Sequence, residues 1–187
     1  MRKQEGHVKL AGLTITVERS AYIAFGILSL LPVVVIAMYS VITRSPELTM
    51  STAINLLWVG VGFAVYHQLG QLVHQLGHAL AAHATGYPMT GIRYDAVFSY
   101  SEYPSDEPVL PARVHFQRSF GGLGGAIFLL VIALLLWSQA DSIANWFTRW
   151  LVNFILFDSV MLFIGSVLSD GVLFVRERGW ERAQTDG

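Results

Sequence analysis

A chain of 187 residues that is 53% hydrophobic and only 13% charged is too poor in Lys and Glu for an ordinary soluble domain, where about 25% is usual. Its net charge of −1 gives no basic surface, so nucleic acid is not an expected partner. The absence of cysteine excludes disulfides and any cysteine-ligated metal or iron–sulfur site.

Residues 1–20 are polar and mixed in charge. They lack the short apolar core and small-residue cleavage site of a signal peptide and are expected to form a cytoplasmic N-terminal segment. Residues 21–42 are uncharged and apolar, about the 20 residues that cross a bilayer, with Pro32 inside. A short polar link carrying Arg44, Pro46 and Glu47 follows. The second span, residues 51–85, would run roughly 50 Å against a ~30 Å hydrocarbon core, so it must tilt, bend or protrude. Gly86 and Pro88 stop it. Residues 92–100 change period, with Ile92, Tyr94, Ala96, Phe98 and Tyr100 alternating with Arg93, Asp95, Val97 and Ser99. That pattern predicts a strand, in a hairpin or at a sheet edge. An acidic, proline-rich loop leads to the third span, residues 119–138, which opens with Gly121-Gly122-Leu123-Gly124-Gly125. Such glycines permit close helix contact. The fourth span covers 146–168, and a charged tail occupies 176–187.

The fold class expected is an all-α polytopic membrane protein. It has about four transmembrane helices, with a short β-hairpin or strand between the second and third, in one membrane domain over 21–175. Of the 12 Lys and Arg residues, all but Arg44 and Arg149 fall on the side that holds both termini and the middle segment. That asymmetry predicts cytoplasmic N- and C-termini. The expected location is the cell membrane of a prokaryote, with the lipid bilayer as constant partner.

The chemistry concentrates at His74-Gln75-Leu76-Gly77-His78 near the end of the second span. Histidines four apart on a helix lie about 40° apart around the axis and can reach one metal ion. The zinc-protease pattern H-E-x-x-H uses this spacing, with Glu as general base. Here Gln75 stands at the Glu position. A catalytic zinc takes three protein ligands, and Asp170, a carboxylate costly to place in an apolar stretch, is the candidate third. The bland reading of a lone intramembrane histidine is a satisfied polar group in the bundle; the spacing and the matching depth of Asp170 favour a metal site. His67 lies seven residues before His74 on nearly the same face, with Gln71 between. Both are candidates for supporting a ligand or bonding within the bundle. His83 points the opposite way, and His115 is expected at the surface or the headgroups. Asp158, about 18 Å along the helix from Asp170, is too far to share that ion; it either bonds a neighbouring helix or is protonated.

The run from His74 to His83, the later Asp170-Gly171 and the opening Gly121-Gly122 together resemble the site-2 protease family, the intramembrane zinc metalloproteases. The resemblance covers about 51–175. It implies zinc on His74, His78 and Asp170, and peptide hydrolysis in membrane-embedded substrates. It also implies a hairpin whose strand, with Ile92, Tyr94, Ala96 and Phe98, contacts an extended substrate. Three features depart from the family pattern: Gln75, Leu123 where Pro is frequent, and no Asn or Pro in 162–169. A neutral amide cannot take the proton of an activated water, and general acid–base catalysis is typically worth 10²–10⁴-fold. The expectation is therefore a protease scaffold that is inactive or very slow, by engineering or by nature. The alternative is a non-catalytic zinc-containing protein that binds or regulates a transmembrane partner. A haem or ion-conducting bundle is disfavoured because the span histidines share one helix.

Overall fold

The computed structural model describes residues 6–10, 12–44, 49–143 and 145–185, with side chains described between 8 and 169. Among the described residues, four helices are long and apolar enough to cross a membrane: α1 (Arg19–Thr43), α2 (Met50–Ala84), α3 (Ala112–Ser138, followed by a 3-10 turn at Ala140–Ser142) and α4 (Trp146–Thr185). A small sheet completes the fold, built from β1 (Gly6–Leu10), β2 (Leu13–Val17), β3 (Gly91–Asp95) and β4 (Phe98–Glu102).

The helices pack through positions without side chains. On α2, a Cβ at Gly60 would overlap the Ser29 carbonyl of α1, and a Cβ at Gly77 would overlap the Gly121 carbonyl of α3. Between lipid-exposed helices there is no hydrophobic drive to associate, so close backbone approach and dispersion hold them. Pro32 is fully buried in α1, and its neighbour Ser29 returns its hydroxyl to the Phe25 carbonyl (2.8 Å). The outward faces stay apolar: Ile23, Ile27, Val34 and Val41 on α1 and Phe128, Val131 and Leu135 on α3 are all exposed. Such a surface suits hydrocarbon rather than water.

The sheet order is β1-β2-β3-β4, antiparallel except for the parallel β2–β3 pair. Because β2 precedes α1 and β3 follows α2, that pair fixes the start of α1 and the end of α2 at the same end of the bundle. Ile92 and Tyr94 pack with Ala21 and Ala82 into a core that Leu13, Ile15 and Val17 cover.

Four boundaries differ from the sequence reading. The N-terminal segment contains two strands, where Leu13, Ile15 and Val17 alternate with Thr14 and Thr16 and Gly12 turns at φ +86. The predicted strand over 92–100 is two strands around a tight turn. That turn lacks the usual Gly: Ala96 itself takes φ +53. Ser20 supports it by donating to Asp95 Oδ1 (2.5 Å) while accepting from the Ala96 N–H (3.2 Å). Helix α3 begins at Ala112, ahead of the apolar run, and α4 continues past 168 to Thr185.

Candidate metal centre

His74 and His78 project from α2 toward the glycine-rich face of α3, and both are buried. Each imidazole has one nitrogen occupied by a backbone carbonyl. His74 Nδ1 donates to Gly122 O (2.9 Å) and His78 Nδ1 donates to Arg118 O (2.8 Å). The two histidines and the two carbonyls are each four residues apart, so one helical turn of α2 meets one turn of α3. A Cβ at Gly122 would overlap the His78 ring and lie 2.8 Å from His74 Cε1. The glycine therefore makes the space for both rings. On α4, Ser166 Oγ donates to Leu162 O (2.7 Å) and lies 3.2 Å from His74 Nδ1, adding an acceptor there.

This bonding decides the tautomers. A carbonyl only accepts, so both Nδ1 atoms carry hydrogen and both Nε2 atoms of the neutral rings present lone pairs. Those Nε2 atoms converge to 3.1 Å with the rings perpendicular. Two lone pairs at that distance repel unless a cation lies between them. It is either a proton, which makes one ring imidazolium, or a metal ion. Tetrahedral zinc with Zn–N of 2.0–2.1 Å sets its nitrogen ligands roughly 3.3 Å apart, and an Nδ1–H held by a carbonyl is the usual outer support of such a ligand. The two histidines fit zinc. The side chain of Asp170 lies outside the described residues. Among the described residues, no group of three or more His, Cys, Asp or Glu side chains is placed to hold a metal ion.

Gln75 is buried and both its polar atoms engage β4: Nε2 donates to Ser99 O (3.0 Å) and Oε1 accepts from Ser101 Oγ (2.6 Å). Gln71 Oε1 accepts from Ser99 Oγ (2.9 Å). His67 donates from Nε2 to Val97 O (2.8 Å) and shares a proton from Nδ1 with Asp158 Oδ1 on α4 (2.8 Å). Asp158 thus bonds a neighbouring helix, and Tyr66–Ser159 (2.6 Å) ties the same two helices. His67, Gln71, Gln75, Ser99, Ser101 and Asp158 wall a cavity of about 940 Å³ between α2, β4 and α4, lined on the other side by Met161, Leu162 and Gly165.

The strand residues distribute unevenly. Ile92 and Tyr94 lie in the sheet core, and β3 is paired on both sides, so its edges are closed. Ala96 occupies the turn, and Phe98 is exposed on β4 while also lining the cavity. The register pairs Ile92 with Ser101 and Tyr94 with Ser99. It is therefore the odd-numbered residues of β4 that share the helix-facing side with Ile92 and Tyr94. The two-residue turn reverses the parity that a single strand would have kept. Ser99 and Ser101 were accordingly missed from the sequence, though a hairpin turn placed at 96–97 would have exposed them.

His115 lines the cavity and His83 is exposed. Arg118 was also missed. It is buried, forms a two-pronged ion pair with Glu107 (3.0 and 2.5 Å), donates to Tyr87 O (2.5 Å) and stacks over the Tyr103 ring at 4.2 Å. The guanidinium holds the Glu107 carboxyl below the usual carboxylate range. This clamp fixes the acidic loop to the turn of α3 whose carbonyl supports His78.

Comparison with known proteins is sparse. No family model and no curated protein matches the chain. Among solved structures it is similar to the site-2 protease from Methanocaldococcus jannaschii, at 14% identity and a TM-score of 0.47, over 88% of this chain and 72% of that one. A likeness at that level establishes neither family nor activity.

Proposed function

We propose that this chain is a site-2-protease-like membrane protein. In this reading His74, His78 and Asp170 hold zinc, and the cleft receives a segment of a transmembrane protein without cutting it at a normal rate. The observation that carries the reading is the convergence of the two Nε2 atoms to 3.1 Å, each ring fixed by a carbonyl of α3. The helix register supports Asp170 as third ligand: residue 67 meets 158 and 74 meets 166, so one further turn sets 78 level with 170. When bound, zinc supplies Lewis-acid polarisation and an acidified water. The chain's own residues orient the rings, exclude bulk water and line an apolar wall for the segment. Gln75, at the position of the general base, cannot take the proton of an activated water. The acidic loop, sheet and both termini belong, on this reading, to the cytoplasmic side.

Metal analysis of the purified chain tests the centre, with about one zinc per chain expected and loss in His74→Ala, His78→Ala and Asp170→Ala. A parent free of zinc after purification in zinc-containing buffer overturns the reading. Gln75→Glu separates the two functional forms. Cleavage of a membrane substrate by the zinc-loaded variant identifies a protease scaffold short of its base. A loaded but silent variant identifies a protein that holds its partner.

A further inference from the structure

The groups around Gln75 make a ladder whose purpose is not metal binding. His67, Gln71 and Gln75 follow one another at four-residue steps on α2, a rise of about 6 Å each. Their partners Val97, in the turn, and Ser99 and Ser101, on β4, follow at two-residue steps, a rise of about 6.7 Å each in extended chain. The two repeats match, so helix and strand stay in step from His67–Val97 through Gln71–Ser99 to Gln75–Ser101.

The ladder meets the open edge of the sheet. The β3 carbonyl of Tyr94 accepts from the Glu18 N–H, and the carbonyl of Thr90, just before β3, accepts from the Thr14 N–H, so the even-numbered residues direct their carbonyls at β2. The odd-numbered ones therefore face β4. The register puts Ser99 opposite Tyr94 and Ser101 opposite Ile92, so the peptide groups of Ser99 and Ser101, and of Val97 before them, project outward at the free edge. Two of these edge carbonyls, Val97 O and Ser99 O, are taken by His67 Nε2–H and Gln75 Nε2–H.

We propose that His67, Gln71 and Gln75 are positioning residues that latch β4 to α2, filling the strand edge and closing the cleft when no segment is bound. Gln suits the inner rung because an amide donates to the Ser99 carbonyl with one atom and accepts from the Ser101 hydroxyl with the other. A carboxylate would face Ser99 O at the same distance with no proton to give. Asp158 braces the outer rung, so the latch also ties the hairpin tip to α4. The latch deepens the holding function proposed above, since its release frees edge carbonyls for an extended segment. Its test needs neither zinc nor ligand, so the two readings fail separately.

The chain has no cysteine, and Gly165 lines the cavity with room for a Cβ. Gly165→Cys in the full chain therefore gives a single reporter for labelling by a bulky maleimide. Gln75→Met and His67→Ala on that background should each raise the labelling rate about tenfold, the order expected for losing one or two hydrogen bonds. Amide exchange in β2 and β3 should stay at the parent level, because the latch takes carbonyls and hydroxyls of the hairpin and no backbone N–H. Ser101→Ala deletes one rung with little risk to folding and should show the same pattern at a smaller amplitude. Labelling that stays at the parent rate in these variants overturns the latch. So does a rise of exchange across β2 and β3, which would mark general loosening of the sheet.

Discussion

The substitution Gly122→Ala isolates the packing on which the histidine pair depends. The added methyl would overlap the His78 ring and sit 2.8 Å from His74 Cε1. Carbon atoms rest at about 3.5–4.0 Å, so α3 must withdraw by roughly 1 Å or both rings must rotate. Either response stretches His74 Nδ1–H···O Gly122 from 2.9 Å, and His78 Nδ1–H···O Arg118 from 2.8 Å, toward the limit of a useful bond. Losing such outer support typically costs 10–100-fold in metal affinity, and overpacking of this kind costs about 1–3 kcal/mol in stability. Zinc affinity by competition with a chelator, beside thermal unfolding in detergent, reads both. Gly124→Ala is the matched control, because a Cβ there has nothing within 4 Å. It should leave zinc affinity unchanged and alter stability by less than about 1 kcal/mol, in the stabilising direction. The reasoning fails if Gly122→Ala binds zinc as the parent does, or if the control loses as much.

Further outcomes follow from other contacts. Gly60→Ala should destabilise the α1–α2 contact by about 1–3 kcal/mol while sparing zinc affinity, because the added methyl meets the Ser29 carbonyl and not the histidines. Glu107→Gln should cost about 3 kcal/mol at pH 7 by leaving the buried Arg118 without its anion. The Glu107 carboxyl is depressed by that guanidinium. Its contribution is therefore complete above the unfolded carboxylate range and vanishes as pH falls through the lower folded value. The stability difference between parent and Glu107→Gln, measured by denaturant titration against pH, should shrink below about pH 4. Burial pushes the Tyr94 hydroxyl up to about 12. Stability is thus unaffected below about pH 10 and should fall by roughly 1.4 kcal/mol per pH unit between about 10 and 12. Tyr94→Phe should remove that alkaline slope at a cost under about 1 kcal/mol, since the hydroxyl bond to Gln68 O is long at 3.4 Å.

Much was already written in the linear chain, because a bilayer imposes a coarse code. Long apolar runs become helices wherever water is absent to satisfy the backbone, and α1, α2 and α4 begin within two residues of the runs that predicted them. Helical periodicity alone put His74 and His78 on one face, and the glycine cluster announced a close helix contact. These are local properties, fixed by composition and by the 3.6-residue repeat. The tertiary structure decided what each polar group touches. Only the approach of α3 assigns both Nδ1 protons and turns two histidines into converging lone pairs. Only the turn at Ala96, in a left-handed conformation that Ala seldom signals, reverses the strand and brings Ser99 and Ser101 to the helix. From the sequence Gln75 reads as a missing base, whereas the hairpin register makes it a partner of β4. That role arises from residues 24 and 26 positions away, which no local pattern could have joined to it.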